Sequence, residues 1–153
     1  MLKYRVLAVV ASSIFFTVSA CDDESLDIDV EKFNATLNGS SAVPPVTTSA
    51  TGTAELTVNG NFLGARIELS MISGVTTAHL HRGAAGQVAT APMATLFTQA
   101  APGTGDVNGL LTYGTVNIPD SVVAHIRNGT AYVDVHTAAS GTSPVVRGQV
   151  TPE

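Results

Sequence analysis

Residues 54–71, AELTVNGNFLGARIELSM, decide the fold. Apolar residues alternate with polar ones from 54 to 58, and the alternation returns from 67 to 71, where it ends at Met71. A period of two places every second side chain on the same face of a β-strand. Asn59-Gly60-Asn61 lies between the two stretches and favours a hairpin turn, because Asn and Gly tolerate positive φ. The segment therefore predicts two antiparallel strands that share one apolar face.

Similar stretches on both sides of this hairpin predict an all-β fold. One short helix is expected between Pro119-Asp120-Ser121, which suits a first turn, and Asn128-Gly129, which suits a C-terminal stop. About eight short strands separated by turn residues are typical of an antiparallel β-sandwich, in which two sheets pack face to face. The further strands are predicted at residues 33–38, 76–82, 93–98, 109–113, 130–137 and 145–151.

The composition is typical of a folded, β-rich domain. The chain has 153 residues, of which 44% are hydrophobic and 12% charged, and this argues against a disordered protein. Thr and Val occur 19 times each, and such β-branched residues favour strands over helices. The net charge of −5 leaves no basic surplus, so no nucleic-acid partner is expected. The single Cys excludes an intramolecular disulfide and a metal site built from cysteines.

The first 20 residues are typical of an export signal. Lys3 and Arg5 precede an apolar stretch of 13 residues, 6–18, which is shorter than the roughly 20 residues of a membrane-spanning helix. The following Val18-Ser19-Ala20-Cys21 resembles the bacterial lipobox, in which the Cys is lipidated and becomes the first mature residue. We therefore predict a lipoprotein signal peptide at 1–20 and a chain anchored in the bacterial cell envelope by lipid on Cys21, facing outside the cytoplasm. The alternative is a plain secretory signal that is cleaved before an incidental Cys.

An acidic tether is predicted at residues 21–31, followed by one domain at 32–153. Six of the 12 acidic residues lie between 22 and 31, whereas residues 32–153 carry 5 basic and 6 acidic residues and are nearly neutral. Like-charged linkers repel themselves and extend, so this segment is expected to hold the domain away from the bilayer. Asp22 resembles an inner-membrane retention signal of enteric bacteria, but other bacteria do not all follow that rule, so either membrane is open.

Three histidines and one aspartate carry the chemical signal of the domain. His79 and His81 are two residues apart in a predicted strand, so both imidazoles lie on one face. Asp134 and His136 share one face of another predicted strand. If the two strands are neighbours, these four side chains converge, and neutral imidazoles suit copper or zinc.

A metal-free interpretation of the same region is also open. Arg82, Arg147 and Asp134 would then form a polar network with the histidines and need no ion. His125 lies in the predicted helix, is expected at the surface and is not included in the cluster. The chain has no G-x-S-x-G elbow, P-loop or H-E-x-x-H motif, so no catalytic residue is assigned and an enzyme is the less favoured class.

Five motifs, in this order, resemble those of the chordin-type (CHRD) domain. Together they span residue 33 to about residue 151. Asp134 departs from the Asn that is usual in that family and adds a negative charge beside His136. The motifs are FNATLNG at 33–39, VPPV at 43–46 with ATGTA at 50–54, AHLHRG at 78–83, GTAYVDVHT at 129–137 and VRGQV at 146–150.

The resemblance implies an immunoglobulin-like β-sandwich outside the cytoplasm. In animals such domains occur in chordin, a secreted binder of growth factors, whereas the bacterial single-domain members have no settled activity. The His-x-His strand also faintly resembles copper/zinc superoxide dismutases, but this chain lacks their disulfide and shows no zinc-binding loop. Growth-factor binding and dismutase activity are therefore not carried over to this chain.

Three functions stay open at this point. The first is a membrane-anchored binding module with a protein partner in the cell envelope. The second is a copper- or zinc-binding envelope protein that uses His79, His81 and His136. The third is an enzyme on the same cluster, which would need a metal with an open coordination position.

Overall fold

The structure, a computed structural model, describes residues 29–99 and 105–153. This part of the chain contains nine β-strands, one α-helix and one turn of 3-10 helix. The helix α1, Asp120–Arg127, follows Pro119 and gives way to Asn128, as predicted. The 3-10 turn is Gly39–Ser41. The strands are β1 Glu31–Asn38, β2 Thr51–Asn59, β3 Phe62–Ser73, β4 Val75–Arg82, β5 Pro92–Thr98, β6 Asp106–Asn117, β7 Ala131–Thr137, β8 Val146–Gln149 and β9 Thr151–Pro152.

The strands are joined in one antiparallel sheet, and the all-β prediction is confirmed. Their order is β5-β4-β7-β8-β1-β2-β3-β6, with β9 also paired to β1. The two halves of the predicted sandwich are not separate sheets, because β1 pairs with β2 along its whole length and with β8 and β9 on its other side. The ends of the path, β5 and β6, approach each other, so the sheet curls nearly into a barrel.

The core lies inside the curled sheet and is built from apolar residues at alternate positions. Leu56, Val58 and Leu63 of the β2–β3 hairpin are buried. Glu55 and Arg66 lie on the outer face and pair across the two strands at 3.3 Å. Burying an aliphatic side chain stabilises the fold by about 1.5–3 kcal/mol, so the alternation fixes which face of each strand turns inward.

One residue of the fold-deciding segment lies on the side opposite to that predicted. Met71 was expected in the core with its alternate neighbours, but its side chain is 66% exposed. The register of β3 against β6 shifts between Leu69 and Ile72, and Met71 has a positive φ of 57°. The Met71 N–H donates to Asn108 Oδ1 at 2.8 Å, and Ile72 takes the core position. This β-bulge shifts the alternation of buried and exposed residues by one position, so that Ile72 and not Met71 follows Leu69 in the core.

The N-terminal predictions lie mostly outside the described residues. Neither the signal peptide at 1–20 nor Cys21 is described, and only residues 29–31 of the predicted tether are. Glu31 already belongs to β1, and its carboxylate accepts a hydrogen bond from Arg127 Nε at 2.9 Å. Within the described residues, no helix combines the length and the apolar character needed to cross a bilayer.

Strand β7 is buried on both faces, which sets it apart from the strands of the hairpin. Every one of its seven residues is buried. Val133 and Val135 point into the core. Tyr132, Asp134 and His136 alternate with them and therefore lie on the outer face. Residues 88–90, 141, 142 and 144 border a cavity above this face, so polar side chains are enclosed there without entering the core.

Candidate metal centre

Strands β4 and β7 bring the predicted site residues together. They are antiparallel neighbours in which His79 is opposite Asp134 and Thr77 is opposite His136. Directly opposite residues point to the same face of a sheet. His79 and His81 therefore lie on the outer face beside Asp134 and His136. We call these four residues the His-Asp cluster.

Each member of the His-Asp cluster contributes one potential donor atom to a compact group. All four atoms lie within 4.8 Å of one another. Asp134 Oδ1 is 3.2 Å from His136 Nε2, 3.5 Å from His81 Nε2 and 3.8 Å from His79 Nδ1. Four ligands held tetrahedrally at the usual zinc–nitrogen distance of about 2.0–2.1 Å are about 3.3 Å apart. The cluster is thus close to the size of a tetrahedral zinc site.

Several of these donor atoms have no other partner. Among the described residues, His79 Nδ1 and His81 Nε2 are buried and make no hydrogen bond, and the nearest polar neighbour of the buried Asp134 Oδ1 is His136 Nε2 at 3.2 Å. Buried polar atoms in folded proteins are nearly always paired, and leaving one unpaired costs about 1–3 kcal/mol. A bound cation would satisfy all three atoms at once. Without an ion, His79 Nδ1 and His81 Nε2 stay unpaired.

Burial and charge move the pKa values of two imidazoles in opposite directions. Burial lowers the pKa of His79 below its ordinary value and outweighs the opposing effect of the Asp134 carboxylate. The contact with that carboxylate raises the pKa of His136 and outweighs burial. Metal ions bind neutral imidazole. His79 is therefore in the neutral, metal-binding form at neutral pH. A larger fraction of His136 is protonated, and that fraction must lose its proton before it can bind a metal.

A stack of three side chains supports one edge of the cluster. The Tyr132 ring lies parallel to the His81 ring, with centroids 5.2 Å apart and an interplanar angle of 8°. The Arg147 guanidinium carbon is 3.5 Å from the Tyr132 centroid, a cation–π contact. Because β7 lies between β4 and β8, Tyr132 is held between the two partners. Arg147 is therefore brought to the cluster as a support for His81.

Arg82, which the sequence placed in a polar network with the histidines, lies outside the His-Asp cluster. It directly follows His81 in β4, so it points to the opposite side of the strand, where it is exposed. There it borders a separate cleft together with His125. His125 is half-buried, and its Nδ1 lies 2.9 Å from Thr130 Oγ1.

Two further residues, to which no role was assigned from the sequence, support the cluster. Tyr132 is two residues before Asp134 and four before His136, so the alternation of the strand places all three side chains on one face. That alternation is the sequence pattern from which its role could have been predicted. Gln149 gives no local signal, because its role depends on distant backbone. Its Nε2 lies 2.7 Å from the Ala131 carbonyl oxygen and 2.9 Å from that of Gly83, so it ties the start of β7 to the end of the His-x-His segment.

The hydroxyl of Tyr132 fastens the loop above the cluster. It accepts a hydrogen bond from the Ala89 N–H at 3.1 Å. Replacing Tyr132 with Phe is expected to lower the free energy of unfolding by about 1 kcal/mol, because the Ala89 N–H loses its partner while the ring stack persists. Chemical denaturation measures the loss, and hydrogen exchange at Ala89 should accelerate. Tyr113→Phe is the matched control, since Tyr113 is 79% exposed. Equal stability changes in the two variants would contradict this role.

The fold and the site define a class: an all-β domain with a partly buried cluster of three imidazoles and a carboxylate on the outer face of its sheet. The sequence pattern of the CHRD domain matches residues 33–150, which include the whole His-Asp cluster. The chain belongs to the CHRD domain family, as its motifs indicated. The comparisons with curated proteins and with solved structures found no match.

Proposed function

We propose that this CHRD-domain protein binds a zinc ion through the His-Asp cluster. The observation that carries the proposal is the convergence of four donor atoms within 4.8 Å. A ligand set of three imidazoles and one carboxylate suits zinc, which four such side chains usually hold tetrahedrally, whereas copper(II) prefers a square-planar or tetragonal arrangement. The unpaired state of His79 Nδ1 and His81 Nε2 adds support, because zinc would remove the cost of burying them.

Four protein ligands favour a binding role over catalysis. Zinc enzymes usually keep one coordination position for water or substrate, whereas zinc held by four side chains is typical of a binding or structural site. His79, His81, Asp134 and His136 supply all four positions. We therefore infer that the protein holds or handles the metal as a binding module.

The decisive experiment is a zinc titration of the full chain, purified in non-ionic detergent and stripped with a chelator. We expect one zinc ion per chain by elemental analysis and calorimetry. The double variant His79→Ala, His136→Ala should retain no stoichiometric zinc. His125→Ala is the matched control and should bind like the wild type, because His125 lies outside the cluster. A wild-type chain that takes up no zinc, or a double variant that binds equally, would refute the site. A parallel titration with copper(II) tests the other metal.

Zinc binding is expected to release protons at mildly acidic pH. The pKa of His136 lies above its ordinary value of 6.5, so at that pH more than half of this imidazole is protonated before zinc arrives. Zinc must displace that proton, and its affinity should therefore rise with pH through this range. Calorimetry at pH 6.5 in two buffers of different ionisation enthalpy measures the protons released. An affinity that is constant from about pH 5.5 to 8 would contradict the assignment of neutral imidazole ligands.

We also propose that lipid on Cys21 anchors the protein in the bacterial cell envelope. The support is the lipobox-like Val18-Ser19-Ala20-Cys21 and the acidic segment that follows it. Mass spectrometry of the mature N-terminus after expression in a bacterium should find acylated Cys21 as the first residue. A Cys21→Ala chain should lose the acyl mass and leave the membrane fraction. An unmodified Cys21, or cleavage at another bond, would refute the anchor.

A further inference from the structure

A cavity of about 560 Å³ opens beside the His-Asp cluster. His79, His81, Asp134 and His136 all contribute to its wall. Small-molecule sites in proteins commonly measure about 300–1,000 Å³ and combine an apolar wall with a few polar groups. This cavity is therefore large enough to hold an organic molecule in addition to a metal ion.

The rest of the wall is largely apolar and comes from distant parts of the chain. Val43, Val88, Pro92 and Pro144 contribute to it. Val88 is 60% exposed, which places it where the cavity meets solvent. A molecule that extends from the cluster towards solvent would thus contact hydrocarbon along its length, and burial of apolar surface would favour a hydrophobic body.

The charges at the inner end of the cavity favour an anion. Zinc with three neutral imidazoles and one carboxylate carries a net charge of about +1. Arg147 also borders the cavity and adds a second positive charge. Asp134 is the one acidic residue among the described residues of the wall, and zinc already neutralises it. Two uncompensated positive charges in a partly buried site attract a negative group.

We propose that this cavity binds a small organic monocarboxylate, whose carboxylate lies at the zinc and Arg147 end and whose hydrocarbon body lies along Val88 and Pro144. The inference rests on the proposed zinc site and extends it by a second ligand. Zinc can expand from four to five ligands, so the carboxylate can join without displacing a protein side chain. The protein would then bind the metal and the organic acid together.

Phenylacetate is a suitable probe, because it joins a carboxylate to an apolar ring. Calorimetry on the zinc-loaded full chain should show binding at least about tenfold tighter than on the metal-free chain. Phenylacetamide, the neutral analogue, should bind at least about tenfold more weakly than phenylacetate. With cobalt(II) in place of zinc, addition of phenylacetate should change the visible spectrum, because a ligand joins the metal.

Two matched variants separate this inference from the zinc site itself. Val88→Asp places a negative charge at the cavity mouth and should weaken phenylacetate binding about tenfold, with zinc binding intact. Leu110→Asp changes an exposed aliphatic residue of β6, which is 55% exposed, and should alter neither. The carboxylate site alone would be overturned if the chain bound stoichiometric zinc but no phenylacetate. It would also be overturned if Val88→Asp and Leu110→Asp bound phenylacetate equally. Failure to bind zinc would overturn both proposals.

Discussion

Zinc is expected to raise the free energy of unfolding of the metal-free chain by about 4 kcal/mol when free zinc exceeds its dissociation constant roughly 1,000-fold. The reason is that the four donor atoms are assembled only in the folded state, where β4 and β7 are paired. For a domain of this size the corresponding rise in Tm is on the order of 10 °C. Scanning calorimetry of the full chain in detergent, with and without zinc, measures it.

His81→Ala should abolish this stabilisation, because it removes the most deeply buried imidazole of the cluster, 5% exposed. His125→Ala should keep it. The variants are compared at the same free zinc concentration, since the stabilisation depends on it. A rise in Tm that is equal in wild type and His81→Ala would mean that zinc acts elsewhere in the chain, and the cluster would lose its assignment.

Gly148→Ala is expected to lower the free energy of unfolding by about 3 kcal/mol or more, the upper end of the usual cost of overpacking. A Cβ atom at this position would clash with the Thr36 carbonyl oxygen and would lie 3.0 Å from Leu37 Cδ2. The first neighbour is backbone of β1, and β8 is held between β1 and β7, so neither strand can move aside freely. Chemical denaturation measures the loss.

Gly114→Ala is the matched control for Gly148→Ala. Gly114 also lies in a strand, β6, but a Cβ atom there would have no heavy atom within 4 Å. Its stability should change by less than about 0.5 kcal/mol, as is usual for surface substitutions. If Gly148→Ala unfolds at the same denaturant concentration as Gly114→Ala, close approach of β8 and β1 is not what requires glycine at position 148.

The parity of strand residues is the part of the site that the sequence could predict. Alternation places His79 with His81, and Asp134 with His136, on one face of each strand, and the structure has both pairs on the outer face. Their convergence required β4 and β7 to be neighbours. That pairing joins residues at least 49 positions apart in the chain, from Arg82 with Ala131 to Val75 with Thr137, so no local pattern encodes it.

Features that depend on distant contacts could not be predicted. Gln149 donates hydrogen bonds to the backbone carbonyl oxygens of Gly83 and Ala131, and the residues next to it in the sequence do not indicate these contacts. The exposed position of Met71 depends on a bulge opposite β6, which interrupts a regular apolar alternation. Arg82 was misplaced for a different reason, because the alternation that unites His79 and His81 itself excludes the residue next to them.

The pairing of β1 with β9 has a mechanical consequence. The Glu153 N–H donates to the Lys32 carbonyl oxygen at 3.1 Å, so the two ends of the domain lie side by side. A pulling force applied between the chain before Glu31 and a protein fused after Glu153 would open these strands one hydrogen bond at a time. The His-Asp cluster lies on β4 and β7, separated from β1 by β8. Metal occupancy should therefore survive a tension that already peels the ends apart.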